Sequence, residues 1–406
     1  YIKEQIEQYD DVTKIPMTNT GRVRKYVRDN CYYTSSNHRK SSKSKYTKYR
    51  KIMSDLTIDE RIYKQLKRSF MGGFTHANAL YVDQTLENVA SVDFTSSYPS
   101  VMLSEQYPMS RGKIVIVKNI RQLEFYCKKY CLVFEAKFKN IRSSIEHENY
   151  LSESKCYNLV EPVTNNGRIV EAKEIAITLT NVDYDIIKQC YEWDEIEVAN
   201  VTRFHKGYLP KPIIESIVKL YEDKTVLKDV EGKEVEYLLS KGMLNSVYGM
   251  SVTDIVQDES MYDTSDGWFS KPPNLDEQIE KYNNSHSRFL YYAWGIFVTA
   301  YARRNLWTGI IAIGDDYVYS DTDSIKLLNY ENHKPYIEWF DKQINEKLKT
   351  MCDYYKIDFN KLSPKNQKGV VKPIGVWDYE GTYDKFKTLG AKRYLYEENE
   401  QLYLTV

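Results

Sequence analysis

The chain has 406 residues, 42% of them hydrophobic and 28% charged, which suits two or three packed domains and excludes a disordered or low-complexity polymer. Its 57 basic and 57 acidic residues cancel, its six cysteines form no CxxC pair, and no apolar run approaches the ~20 residues of a membrane helix. A cytoplasmic protein without a membrane partner is therefore expected.

The sequence opens on Tyr1, in the helical-looking YIKEQIEQYDD, without a signal-peptide pattern, and reads as a fragment of something longer. Residues 20–51 then carry eleven Lys or Arg against one acid, Asp29. These cations (Arg22, Arg24, Lys25, Arg28, Arg39, Lys40, Lys43, Lys45, Lys48, Arg50, Lys51) alternate with Tyr26, Tyr32, Tyr33, Tyr46 and Tyr49. The pattern suits phosphates and stacked bases, and a solvated arm equally.

An amphipathic helix is expected from Ile58 to Phe70, with a break at Gly72-Gly73. A short strand, Val89 to Phe94, leads into a helix start at Tyr98-Pro99. Residues 105–205 alternate like β-strands, with one helix near Asp183 to Tyr191. Helices follow at Ile213–Lys228 and Lys233–Tyr248, then a polar loop or small insertion over 251–287. A long helix, Arg288 to Trp307, precedes a hairpin in YVYSDTDSIKLL, and the end from Gly381 reads as short strands. No internal repeat is present.

Three segments carry chemistry. In SVDFTSSYPSV (91–101) an apolar strand ends on Asp93; a helix N-cap is the other role open to that residue. In KGMLNSVYGM (241–250), Lys241, Asn245 and Tyr248 share one helical face, with Val235, Leu238, Leu239 and Val247 able to pack inward; an ordinary helix ending at a glycine fits too. In YSDTDSI (319–325), Asp321 and Asp323 crest a hairpin, as acids in turns often do. Such acids repel unless a cation sits between them, and Mg2+ takes one or two protein carboxylates plus substrate phosphate oxygens.

In this order the three segments resemble motifs A, B and C of the family B DNA polymerases. The resemblance implies an α+β fold, the polymerase right hand, with an antiparallel-sheet palm, helical fingers and two insertion regions. It implies catalytic acids at Asp93 and Asp323, with Asp321 in a supporting role, holding two Mg2+ ions (Mn2+ as substitute) together with the Phe94 carbonyl. Tyr98 would stack under the deoxyribose and exclude a 2′-hydroxyl. Lys241 would neutralise the incoming dNTP, with Lys228 as second cation and Lys224 its rival. Asn245, Ser246, Tyr248 and Gly249 would frame the nascent base pair.

Shorter matches point to the protein-primed phage or plasmid branch. AKRY (391–394) resembles the KxY motif, giving Lys392 and Tyr394 the primer terminus. TAYAR (299–303) resembles TxxAR, giving Thr299 and Arg303 template and priming-protein contacts. FMGGF (70–74) resembles YxGG, with Gly72 and Gly73 at the template and Phe70 in place of the tyrosine.

The expected organisation is an exonuclease end and basic linker (1–70), palm with motif A (71–104), a first terminal-protein-region-like insertion (105–205), fingers (206–250), a second insertion (251–287), and palm with motif C and KxY (288–406), the thumb largely absent. Expected partners are template DNA, a primer strand, dNTP and a terminal protein, in the host cytoplasm if phage-encoded. Without exonuclease motifs or a thumb, weak polymerisation and no proofreading are expected. A nucleic-acid-primed or primer-independent family B polymerase, and a catalytically silent DNA-binding fragment, are the alternatives.

Overall fold

The computed structural model describes residues 15–33, 43–265 and 267–405. The expected opening helix, Arg39 and Lys40 lie outside the described residues. No helix among the described residues is long and apolar enough to cross a membrane.

Two antiparallel sheets organise the chain. The first has seven strands, ordered Thr75–Ala77, Tyr317–Asp321, Ser324–Leu327, Leu86–Phe94, Trp377–Gly390, Arg393–Glu398 and Gln401–Thr405. Its central strands are apolar because both faces are buried: Ala90, Val92, Phe94, Ile325 and Leu327 join the main core, and Val89 and Val318 join a smaller cluster with Ala77, Tyr319 and Phe386. The second sheet has eight strands within residues 107–207, the longest being Tyr130–Ser143, Arg168–Thr180 and Glu195–Gly207. Two helices accompany it, Ile120–Lys129 and Asn181–Cys190, where sequence reasoning expected one. The missed helix has an Asn119 cap accepting from the Gln122 amide, but a half-exposed face that blurs its period.

Helices Lys211–Leu227 and Glu234–Ser246 pack side by side and meet the Asn19–Tyr32 helix. Gly242 allows that approach, since a Cβ there would lie 2.6 Å from the Asn19 amide nitrogen. Val235 and Leu238, expected to pack inward, are exposed; the helix buries Leu244, and Val247 just beyond it, instead. The 251–287 segment is not loop alone. It forms the hairpin Glu259–Asp263/Gly267–Lys271 and the helix Leu275–Asn284, capped by Asn274.

Much of the basic tract is helical, over Asn19–Tyr32 and Lys43–Asp55. Tyr32 and Tyr49, expected among the stacking residues, are buried and donate hydroxyls to the carbonyls of Arg288 and Phe289. They are core, because a phenol buried this way satisfies its polar tip on backbone. The helix expected at Arg288–Trp307 runs Tyr292–Ile313 and is buried along nearly all of its length. A 26-residue helix, Tyr330–Tyr355, occupies a stretch for which no element was expected, and the first of the strands expected from Gly381 is part of a 14-residue strand, Trp377–Gly390, followed by the short strands Arg393–Glu398 and Gln401–Thr405.

Candidate active site

The site is built where two strands and a tight turn meet. Antiparallel pairing sets Asp93 opposite Ser324 on one side and Asp378 on the other. The amide of Phe94 donates to the carbonyl of Asp323 at 2.8 Å. Asp93 is no helix cap: Ser96 holds that position before helix Ser97–Ser104, in a left-handed conformation with φ +57. Phe94 is pinned by its ring, stacked on Trp377 at 3.6 Å.

Burial, then the charge of Asp323, raises the Asp93 carboxyl to about 8. Burial, then Asp321, raises Asp323 to about 6. Two carboxylates that raise their proton affinity in this way lack positive charge, so this donor set fits a divalent cation.

Asp321 behaves differently. Burial would raise it, but hydrogen bonds from Lys392 Nζ at 2.9 Å and Thr75 Oγ1 at 2.8 Å hold it below the ordinary value. Asp321 is already neutralised, and no group of three or more His, Cys, Asp or Glu side chains is placed to hold a metal among the described residues.

Sequence reasoning missed Glu380. It sits at a bulge in the strand beside Asp93, where the register shifts between Tyr379 and Gly381. Its Oε2 accepts from Ser91 Oγ at 2.8 Å, and Ser91 in turn accepts from the buried Lys326 ammonium at 2.6 Å. Glu380 adds to the field raising both Asp93 and Asp323, and Lys326 opposes it. Only strand pairing reveals this acid; nothing around WDYEG marks it in sequence.

Cations line the helical side. Lys224 Nζ donates to Ser96 Oγ at 3.1 Å, while Lys228 is exposed, past the end of its helix. Burial first, then the neighbouring Lys241 and Lys228, lowers Lys224, and Asp93 opposes that shift. Of the two helix cations, Lys224 is the one whose charge acts on Asp93, and Lys228 lies at the margin. Tyr98 stacks on Tyr248, with centroids 4.3 Å apart and planes inclined at 17°. Asn245 is exposed and Ser246 half-buried on the same helix. At Gly249 a Cβ would meet nothing nearer than 3.5 Å, so space does not demand glycine there.

The double glycine splits in role. A Cβ on Gly73 would lie 2.9 Å from Thr322 and 3.2 Å from the Tyr98 hydroxyl, whereas one on Gly72 meets nothing within 4 Å. The Phe74 carbonyl accepts from the Thr322 amide at 2.7 Å, tying this linker to the acidic turn. Thr322 has φ +57, an unusual conformation for a β-branched residue. The Lys392 amide donates to the Tyr319 hydroxyl at 3.1 Å, and Tyr394 packs on Tyr319, so the KxY-like turn leans on the strand leading to Asp321.

Thr299 and Arg303 do not belong to this surface. Thr299 is 0% exposed and donates to its own helix at Ile296; Arg303 is 4% exposed. The Arg303 guanidinium is consumed by Asp183 at 2.6 Å, Tyr150 at 3.0 Å and the carbonyls of Gly72, at 2.8 Å, and Met71. Direct contact with DNA, expected of both residues, is incompatible with that burial. Arg303 instead ties the long helix to the second sheet and to the glycine linker.

A family model for DNA polymerases of type B, organellar and viral, matches residues 24–343. The DNA polymerase of Bacillus phage B103 is 25% identical over 353 residues, covering 86% of this chain and 52% of that protein. That of Streptococcus phage Cp-1 is 22% identical over 314 residues, covering 71% and 51%. The chain thus spans about half the length of the curated relatives it matches. Phi29 DNA polymerase, solved with primer-template DNA and incoming nucleotide, superposes with a TM-score of 0.64 at 19% identity, over 98% of this chain and 58% of that one. The likeness shows the α+β polymerase fold, and with the family match it makes the chain a member of the type B DNA polymerases of organelles and viruses.

Proposed function

We propose that this chain carries the nucleotidyl-transfer centre of a template-directed DNA polymerase. A primer 3′-hydroxyl attacks the α-phosphate of a dNTP, and pyrophosphate leaves. The observation that carries this reading is the strand register setting Asp93 beside Asp323, with Lys224 reaching in from the facing helix through Ser96.

Asp93, Asp323 and the Phe94 carbonyl are the residues that would hold two Mg2+ ions, or Mn2+ in their place. Bound there, the ions would activate the primer hydroxyl and offset charge on the triphosphate. Lys224 and Lys241, with Lys228 at the rim, receive the triphosphate oxygens. Tyr98, braced by Tyr248, presents a flat face to the sugar and leaves no room for a 2′-hydroxyl. Asn245, Ser246 and Gly249 border the nascent base pair. Lys392 and Tyr394 steady the primer end, and Gly72 and Gly73 let the template pass close to the backbone. Most of the rate then comes from positioning and charge, not covalent work.

Initiation from a terminal protein in phage or plasmid replication, in the host cytoplasm, is the finer reading. The phage relatives support it, as do the folded units over 105–205 and 251–287, where the sequence resemblance leads one to expect two insertions. Extension of a labelled primer tests the polymerase reading. Incorporation should follow the template base; incorporation indifferent to template would overturn it. Incubating template and labelled dNTP without primer tests the priming mode. Label transferred to a separate protein supports protein priming, and free product without one opposes it.

A further inference from the structure

A polar cavity lies where helices Ile120–Lys129, Asn181–Cys190, Tyr292–Ile313 and Tyr330–Tyr355 meet, and none of the residues assigned to nucleotidyl transfer lines it. Its volume, about 470 Å3, is in the range of small-ligand sites. Five cations and three carboxylates line it, a surplus of two positive charges in a chain whose net charge is zero.

The arrangement of those charges is unusual. Glu105, with its side chain 10% exposed, accepts from both Arg304 Nη2 and Lys347 Nζ, each at 2.7 Å and each on the same oxygen. One carboxylate therefore serves two cations. Burial, then Arg304, lowers Lys347 despite Glu105, as expected where positive charge is in excess. Lys206 pairs with no acid among the described residues: its ammonium donates to the carbonyls of Cys127 and Lys128, both at 3.1 Å, at the end of helix Ile120–Lys129. Lys188 is matched by Glu124 at 3.0 Å and Asp185 at 2.9 Å, so the excess falls on Arg304, Lys347 and Lys206, with Lys128 beside them.

We propose that this cavity binds a small phosphate-bearing anion, free or carried by a nucleotide, between Lys347, Arg304 and Lys206. Charge-assisted hydrogen bonds to phosphate oxygens would offset the surplus. The walls come from both the second sheet's helices and the long helices behind the first sheet, so the bound anion fastens the two units together. This inference does not depend on the polymerase reading.

The test is thermal unfolding of the whole chain in EDTA at fixed ionic strength, titrated with inorganic phosphate, pyrophosphate or dAMP, with sodium chloride as control. The melting temperature should rise by several degrees with at least one phosphate compound, and equally in Asp93→Asn. Lys347→Met leaves the Arg304–Glu105 pair intact and should fold; it and Lys206→Met should lose most of the rise. A stronger response to dAMP than to phosphate and pyrophosphate identifies a nucleotide, and an equal one identifies the phosphate group. No rise beyond the chloride control, or a rise undiminished in both variants, would overturn the proposal.

Discussion

Replacing Arg303 with methionine separates two accounts of that residue. The change leaves Asp183, 0% exposed, without its cationic partner and frees the Gly72 and Met71 carbonyls. Removing one partner of a buried ion pair costs roughly 3–5 kcal/mol. Asp183 still accepts from the Thr180 amide and hydroxyl and from Tyr150, so the lower end, about 3 kcal/mol, is expected here. With an unfolding entropy of ~2.1 cal/mol/K per residue over 406 residues, each kcal/mol is worth about 1.2 °C, so the melting temperature falls by roughly 3–4 °C. Arg303→Lys should recover little, because an ammonium cannot reproduce the guanidinium fork that reaches Asp183, Tyr150 and the linker together. Asp183→Asn added to Arg303→Met should recover part of the loss, since the orphaned charge disappears. Urea and thermal unfolding by circular dichroism measure all three. Unchanged stability in Arg303→Met with a several-fold fall in DNA affinity would refute the reasoning and restore Arg303 as a DNA contact.

Gly73→Ala should destabilise by about 1–3 kcal/mol, because its Cβ meets Thr322, while Gly72→Ala should leave stability near neutral; melting curves compare them. Lys224→Met should raise the dNTP KM by about tenfold or more, with a smaller effect for Lys228→Met, and steady-state kinetics that reverse this order would return the inner position to Lys228. The Asp93 carboxyl, raised to about 8 in the folded chain, disfavours folding progressively as pH climbs from its unfolded value near 3.8 toward 8. Asp93→Asn should therefore melt higher than wild type at pH 8 without metal and match it near pH 4; equal melting at pH 8 would contradict the burial. For the same reason Mg2+ binding should release protons between pH 6 and 8 and strengthen with pH, which calorimetry in buffers of different ionisation enthalpy detects.

The strand ending on Asp93 and the hairpin bearing Asp321 and Asp323 were legible because each is a short apolar run that stops at acids, a pattern that fits the end of a strand or a turn. Their adjacency was legible only through the resemblance, since register is a long-range property. Glu380 was not legible at all: a bulge brings it in, and bulges leave no local mark. Lys224 and Lys228 are one helical turn apart, so sequence could not say which lies before the helix end. The TAYAR segment misled because a buried arginine that ties elements together reads the same as one that faces a ligand. The Tyr330–Tyr355 helix was hidden by its start at a left-handed Asn329 without a side-chain cap and by Pro335 within its early turns.

The most direct test of the central claim is Mg2+-dependent nucleotide addition to a primed template by the wild-type chain, Asp93→Asn and Asp323→Asn side by side. Each single substitution should abolish addition while leaving primer-template binding and folding intact. Addition by either variant at the wild-type rate would contradict the assignment of these two carboxylates to the reaction.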